Sequence, residues 1–380
     1  MTYKYRLFPT SAQRTSLERT LELCRWVYND TLAIRKNTYE ETGKSISLYD
    51  TNKLLTEWKA AKPALSQVHS QVLQNVQERV DLAYQAFFRR VKAGEEEVGF
   101  PRFKARGRYD SFTFKQKGFK LTAGAHWVRL PLSKIGDIAI KLHRPICATV
   151  KTLTIHRDAV GNFYAFFSCE CEPDRLEPVH KVVGIDLGLT TFAYFSDGEK
   201  IERQRWMKID AKDIARLQRK KEKLVKGSPE RRKVVHALCH AYERAANRRR
   251  NFAHQESRKL VNQYQFIAFE DLDIQDMQSN GNKTISRGIA DVAWGQFVQF
   301  ATYKAEDAGR VVVRVNPRGT TQMCSGCHAI VPKDLSVRIH DCPHCGLVLN
   351  RDHNAALNIL ARGLAGLNTD SSVVIEAHVL

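Results

Sequence analysis

Cys324-Ser325-Gly326-Cys327 and Cys342-Pro343-His344-Cys345 stand fourteen residues apart, and Asn350-Arg351-Asp352-His353-Asn354-Ala355-Ala356 follows at once. Four thiolates at this spacing can converge on one tetrahedral Zn²⁺. Four sulfurs close the coordination sphere, so the expected role is structural, and His328 and His344 become bystanders. Asp352 falls on the expected first turn of the next helix. An acid there either caps the helix or holds a metal, and the second reading requires partner carboxylates upstream.

Two candidates stand out. Val182-Val183-Gly184-Ile185-Asp186-Leu187-Gly188 reads as an apolar strand ending in an acid, with a glycine turn into Thr191-Phe192-Ala193-Tyr194-Phe195. Phe266-Ile267-Ala268-Phe269-Glu270-Asp271-Leu272 repeats the pattern. A carboxylate buried at the end of an apolar strand is costly unless a cation or metal pairs with it. Asp271 and Asp273 are expected to be exposed turn residues. Asp186, Glu270 and Asp352, two at strand ends and one at a helix start, are the set with which a ribonuclease-H-like core holds two divalent cations.

Further stretches extend the pattern: Tyr3-Lys4-Tyr5-Arg6-Leu7-Phe8-Pro9-Thr10, Gly99-Phe100-Pro101-Arg102-Phe103-Lys104, Asp291-Val292-Ala293-Trp294-Gly295-Gln296-Phe297, and Thr321-Gln322-Met323 leading into the first knuckle. With Arg351-Asp352-His353-Asn354-Ala355-Ala356-Leu357-Asn358 they resemble, over residues 1 to about 362, the RuvC-type nucleases of the TnpB family. That family comprises RNA-guided nucleases of insertion elements, similar to type V CRISPR effectors. The resemblance implies an RNA-guided DNA endonuclease that hydrolyses phosphodiesters with Mg²⁺ or Mn²⁺ at Asp186, Glu270 and Asp352. Its partners would be guide RNA and target DNA. Asn350 departs from the pattern, which often has an acid there. Two other readings stay open: a nuclease-inactive, RNA-guided DNA-binding regulator, and a transposase or transposase accessory protein.

Composition agrees with a polyanionic partner. The 380 residues carry a formal charge of +19, while the 43% hydrophobic content is that of an ordinary folded protein. No apolar run is long enough to span a bilayer and the N-terminus lacks a signal-peptide core, so a cytoplasmic protein without membrane contact is expected. Cys24, Cys147, Cys169, Cys171 and Cys239, the five cysteines outside the knuckles, are expected to be reduced thiols.

The expected fold is α/β and β multidomain. Residues 2–8 alternate as a strand. Ser11 is placed to cap a helix, further helices cover 50–60 and 67–92, and short strands with turn signals run from 111 to 172. This suggests a small wedge-like β-barrel (1–10 and 111–180) with an inserted helical recognition domain (11–110). An RNase H-like (RuvC) core (181–323 and 346–362) would follow, with an inserted zinc ribbon (324–345) and a tail (363–380). Basic helices at 208–226 and 229–262 interrupt the core, and one helix is expected over 289–308.

Between residues 203 and 259 Lys and Arg number nineteen against six acids, an excess of 13. Arg219, Lys220 and Lys221, with Arg248, Arg249 and Arg250, are candidate phosphate ligands; a solvated face is the bland alternative. Tyr3 and Tyr5, with Arg102 and Lys104, are candidates for base stacking and phosphate contact, with core packing the equal rival for the aromatics.

Overall fold

The computed structural model describes residues 1–121, 126–146, 148–280, 283–334 and 337–370. The chain divides into two compact units, Met1–Glu172 and Pro173–Leu380. Cys147 and residues 371–380 lie outside the described residues. Cys24, Cys169, Cys171 and Cys239 are free thiols, as expected.

In the first unit, β1 (Thr2–Phe8) is followed by α1 (Ser11–Thr42), α2 (Leu48–Ala61) and α3 (Ser70–Lys92). Then come β2 (Ser111–Phe114), β3 (Trp127–Leu132), β4 (Gly136–Lys141), β5 (Thr149–Arg157) and β6 (Phe163–Glu170). The period-two pattern of β1 turns Tyr3, Tyr5 and Leu7 inward. β1 sits inside an antiparallel sheet of order β2-β5-β6-β1-β4-β3. Among the described residues an isolated antiparallel bridge joins Phe119, beyond the end of β2, to Leu132 of the edge strand β3.

Thr10, not Ser11, caps α1. Its hydroxyl accepts from the Gln13 N–H while the Gln13 side chain accepts from the Thr10 N–H, and Ser11 is already helical. Leu17 and Leu21 of α1 and Val72 and Val76 of α3 share one core with Phe112, Ile155 and Phe167 of the sheet. The helical segment and the strands, expected as two domains, are therefore one packed unit. Residues 173–180 fall in the second unit.

The second unit opens with β7 (Val182–Leu187), β8 (Thr191–Phe195) and β9 (Lys200–Glu202), then α4 (Trp206–Glu222) and α5 (Pro229–Gln263). β10 (Phe266–Glu270), α6 (Ile274–Asn280), α7 (Lys283–Val292), α8 (Trp294–Ala308) and β11 (Val311–Val315) follow. β12 (Ile339–Asp341), β13 (Val348–Asn350) and α9 (Arg351–Asp370) complete it. The main sheet has the order β11-β10-β7-β8-β9, with β7, β10 and β11 parallel and β8 and β9 antiparallel.

Alternate residues of β7 and β10 bury on opposite faces, which explains their unbroken apolar sequences. Val183, Ile185, Ile267 and Phe269 join a core with Leu260 of α5 and Phe297 of α8. Val182, Phe266 and Ala268 face a second core with Ile359 and Leu364 of α9. The helix expected over 289–308 is broken at Ala293, which adopts a left-handed conformation (φ 56°). The break lets the Asp291 carboxylate accept from the Met207 N–H at 3.1 Å while Trp294 enters the core. The expected tail boundary at 363 is also revised: α9 runs on to Asp370, because Gly363 and Leu364 still pack on the sheet.

Helix α9 lies against the sheet because Gly184 has no side chain. A Cβ there would stand 2.2 Å from the Ala356 carbonyl oxygen and 2.5 Å from the Leu360 amide nitrogen. Both are backbone atoms and cannot rotate away. Gly184→Ala is expected to destabilise the second unit by about 3 kcal/mol, at the upper end of overpacking penalties. Denaturant unfolding that matches wild type would refute this contact.

Candidate metal centre

Gly184 and Ala268 are register partners in the parallel pair β7–β10, and both meet α9. Two residues further along each strand, Asp186 and Glu270 point to the same face. They therefore emerge at the carboxyl ends of adjacent parallel strands, where open α/β sheets place their ligands. Asp352, one helical turn before Ala356, brings its carboxylate to the same end.

Asn350 begins α9: its side-chain oxygen accepts from the N–H groups of Asp352 at 2.8 Å and His353 at 3.4 Å. Asp352 is thus relieved of the capping role that the sequence left open, and the departure at Asn350 supplies a good N-cap. His353 fixes the first turn from the other side. Its ring stacks on Tyr194, the register partner of Asp186, and its Nε2 lies 3.1 Å from the Ser196 carbonyl.

All three acids are buried. Burial, reinforced by the charges of Glu270 and Asp352, holds the Asp186 carboxyl well above the usual range, with Arg351 opposing. Burial also raises Glu270, against the pull of a hydrogen bond from the Thr320 hydroxyl and the Arg362 charge. Asp352 pairs with Arg351 at 3.3 Å and lies 3.9 Å from Arg338. Carboxylates that share a poorly solvated end are suited to divalent cations, and hard oxygen donors favour Mg²⁺ or Mn²⁺. Thr320, Arg338 and His353 were not singled out from the sequence; each owes its place to a contact across the fold.

The knuckles converge as their spacing predicts. Cys324 Sγ lies 3.6 Å from Cys345 Sγ, Cys327 Sγ lies 3.6 Å from Cys342 Sγ, and all four sulfurs fall within 4.8 Å of one another. Sulfurs at 2.3 Å from a tetrahedral zinc stand about 3.8 Å apart, so the set fits that ion. Burial opposes ionisation of Cys342, yet the N–H groups of Cys345 and His344 and the neighbouring thiols draw it down to about 6. Among the described residues the four cysteines are the group that brings three or more metal-binding atoms this close.

The candidate nucleic-acid contacts divide. Tyr5 is 1% exposed and Tyr3 8%, both within the core of the first unit, and the Tyr5 hydroxyl donates to the Arg144 carbonyl at 2.9 Å. Packing, the rival reading, accounts for both rings. Arg248 pairs with buried Asp210 at 2.6 Å, and Arg249 donates to the Ala290 carbonyl at 3.0 Å and faces Asp291. These two arginines tie α5 to neighbouring helices. Arg250, Arg219 and Lys220 remain exposed, Lys221 is half-buried, and Arg102 and Lys104 are exposed.

Three family models match the chain. Residues 1–44, which form β1 and the single helix α1, match one described as a helix-turn-helix domain. Residues 166–281 match a probable transposase of the OrfB, IS605 type, and residues 294–359 match the Cas12f1-like TNB domain. A putative RNA-guided DNA endonuclease of Streptomyces pristinaespiralis is 32% identical, over 96% of this chain and 89% of its own. InsQ of Escherichia coli K12, which bears the same description, is 31% identical over 96% and 92%.

Among solved structures, Cas12f1 in complex with single-guide RNA and target DNA matches with a TM-score of 0.58 at 13% identity. That match covers 90% of this chain and 82% of that one. The fold is thus that of a mixed α/β multidomain protein resembling the Cas12f effectors, with a cysteine cluster suited to zinc. The chain belongs to the TnpB family.

Proposed function

We propose that this protein is an RNA-guided DNA endonuclease with a RuvC-like site formed by Asp186, Glu270 and Asp352. The observation that carries the proposal is the arrival of three buried acids at one end of the β7–β10 pair. Asp186 there accepts no hydrogen bond and joins no ion pair among the described residues. A capping or salt-bridged acid would have a partner. The names of the relatives support the same reading: two long matches are described as putative RNA-guided DNA endonucleases.

In this mechanism Asp186, which feels the charges of both Glu270 and Asp352, would hold divalent cations together with them. Glu270 would be oriented for this by the Thr320 hydroxyl and Asp352 by the Asn350 cap. The chemistry that two divalent cations supply is activation of the attacking water and stabilisation of the leaving oxygen. Arg351 and Arg338 offset part of the Asp352 charge and would meet an incoming phosphodiester. Guide RNA would select the target by base pairing, with the protein reading duplex shape and a short flanking motif. The six-stranded sheet and helices of the first unit would serve as wedge and recognition elements. Among the described residues no helix is long and apolar enough to cross a membrane; a cytoplasmic location is part of the proposal. The inactive-regulator reading calls for an eroded triad, and all three acids are present.

The deciding experiment is a guided-cleavage assay run beside a binding assay on wild type and Asp186→Ala. For RNA affinity, charge reversal at Arg219, Lys220 and Lys221 is the informative variant, because the 248–250 arginines would break internal ion pairs. RNA affinity should fall steeply between 50 and 200 mM salt. The triple reversal should lower the slope of log K against log salt by about 2, near 0.7 for each single-strand phosphate contact. An unchanged slope would remove α4 from the RNA path.

A further inference from the structure

The loop between β11 and the ribbon touches both strand and helix of the acid centre. The Thr320 hydroxyl donates to Glu270. The Thr320 carbonyl accepts from Asn358 Nδ2 at 2.9 Å, and the Met323 carbonyl accepts from the same nitrogen at 2.7 Å. Asn354, one turn earlier on α9, donates to Met323 at 2.8 Å and accepts from the Ser325 N–H at 2.9 Å. Ser325 lies inside the first thiol knuckle. Thr320, Asn354 and Asn358 are all but fully buried, at 1%, 0% and 1% exposure.

These contacts form one continuous path: knuckle, Asn354, Met323, Asn358, Thr320, Glu270. We infer that Thr320, Asn354 and Asn358 are positioning residues of the acid centre, and that through them the metal state of the thiol cluster sets the placement of Glu270. The inference rests on the proposed role of Glu270 as a cation ligand. Buried amides of this kind have no water to fall back on, so breaking one bond strands its partner. The Thr320 backbone cannot shift without breaking the Asn358 bond, and its hydroxyl then loses its aim at Glu270. Release of the first knuckle frees Ser325 and Met323 and so loosens the same loop. Loss of a contact of this type typically costs about 10–100-fold in metal affinity.

The test uses the full chain with its guide RNA. Thr320→Val keeps shape and removes the hydroxyl; Thr320→Ser keeps the hydroxyl. Mn²⁺ binding is read by electron paramagnetic resonance and Mn²⁺-dependent cleavage is read separately. Thr320→Val should raise the Mn²⁺ concentration at half saturation about tenfold, and Thr320→Ser should restore it. Asn358→Ala should give a similar rise, and the double variant should be no worse than the poorer single, since both act on one path. Hydrogen exchange supplies a readout independent of Mn²⁺: zinc extraction should increase exchange at 317–325 and 266–271, beyond the ribbon itself. Unchanged half saturation in Thr320→Val, or exchange confined to 324–350 after extraction, would overturn the inference. If wild type takes up no Mn²⁺ at the acids, the proposed function fails and the exchange result alone decides the tie.

Discussion

Asp186→Ala is expected to reduce guided DNA cleavage by about 10³-fold or more while guide-RNA binding stays near wild type. The size follows from the proposed site, whose groups would act as a unit: losing an acid that holds both cations would remove water activation and leaving-group stabilisation together. Glu270→Ala and Asp352→Ala should behave alike, now that Asn350 rather than Asp352 caps α9. EDTA should reproduce the defect, and Mg²⁺ or Mn²⁺ should restore wild type but not the variants. Cleavage by Asp186→Ala at wild-type rate would sink the site assignment. Wild type that binds its guided target and never cuts would favour the inactive-regulator reading.

Stability gives an independent check on the same residue. A carboxyl whose folded-state pKa exceeds its unfolded value contributes stability that is complete below the unfolded pKa and lost as pH rises through the folded one. Asp186 and Glu270 are both raised, from usual values of 3.8 and 4.5. Metal-free protein should therefore lose stability as pH climbs upward from those values. Asp186→Asn, which cannot ionise, should melt higher than metal-free wild type at neutral pH, by about 2–4 °C for each kcal/mol relieved. Added divalent cation should stabilise wild type more than the variant. A lower melting temperature for Asp186→Asn would instead mark Asp186 as a structural, partnered acid.

The second large effect concerns the thiol cluster. Purified protein should contain about one zinc per chain, and Cys342→Ser should release it and unfold the ribbon, because structural zinc contributes about 10–16 kcal/mol of apparent binding energy to small domains. Uptake by metal-free protein should weaken as pH falls, and more steeply below about 6, where the Cys342 thiolate also takes up its proton. Elemental analysis of wild type and variant, with thermal unfolding of each, measures this directly. A metal-free preparation with full stability and activity would overturn it. Neighbouring Cys345 is pushed up to about 12, so the two thiols of that knuckle enter the site with very different proton affinities.

Much of this protein was legible in its sequence, and the legible parts are local. Cys-x-x-Cys spacing encodes a ligand set because each pair spans only four residues. The alternation in β1 and the apolar runs ending at Asp186 and Glu270 reflect a strand's fixed period of two. The resemblance carried the order of these pieces, and the long relatives bear out the family it suggested.

Tertiary structure decided everything that depends on which face meets which partner. Tyr3 and Tyr5 carry the same interleaved pattern as a stacking surface, and only the packing of the first unit puts their rings in the core. Arg248 looks like any member of a basic run until α4 brings Asp210, 38 residues away, to 2.6 Å. Gly184 is one more strand glycine until α9 crosses it, and Thr320 is an unremarked hydroxyl until the loop delivers it to Glu270, 50 residues back. A residue's periodicity and neighbours are written along the chain. The partner that a buried polar group or a bare glycine finds is set by the register of strands and the side of a helix turned inward, and those exist only once the chain has folded.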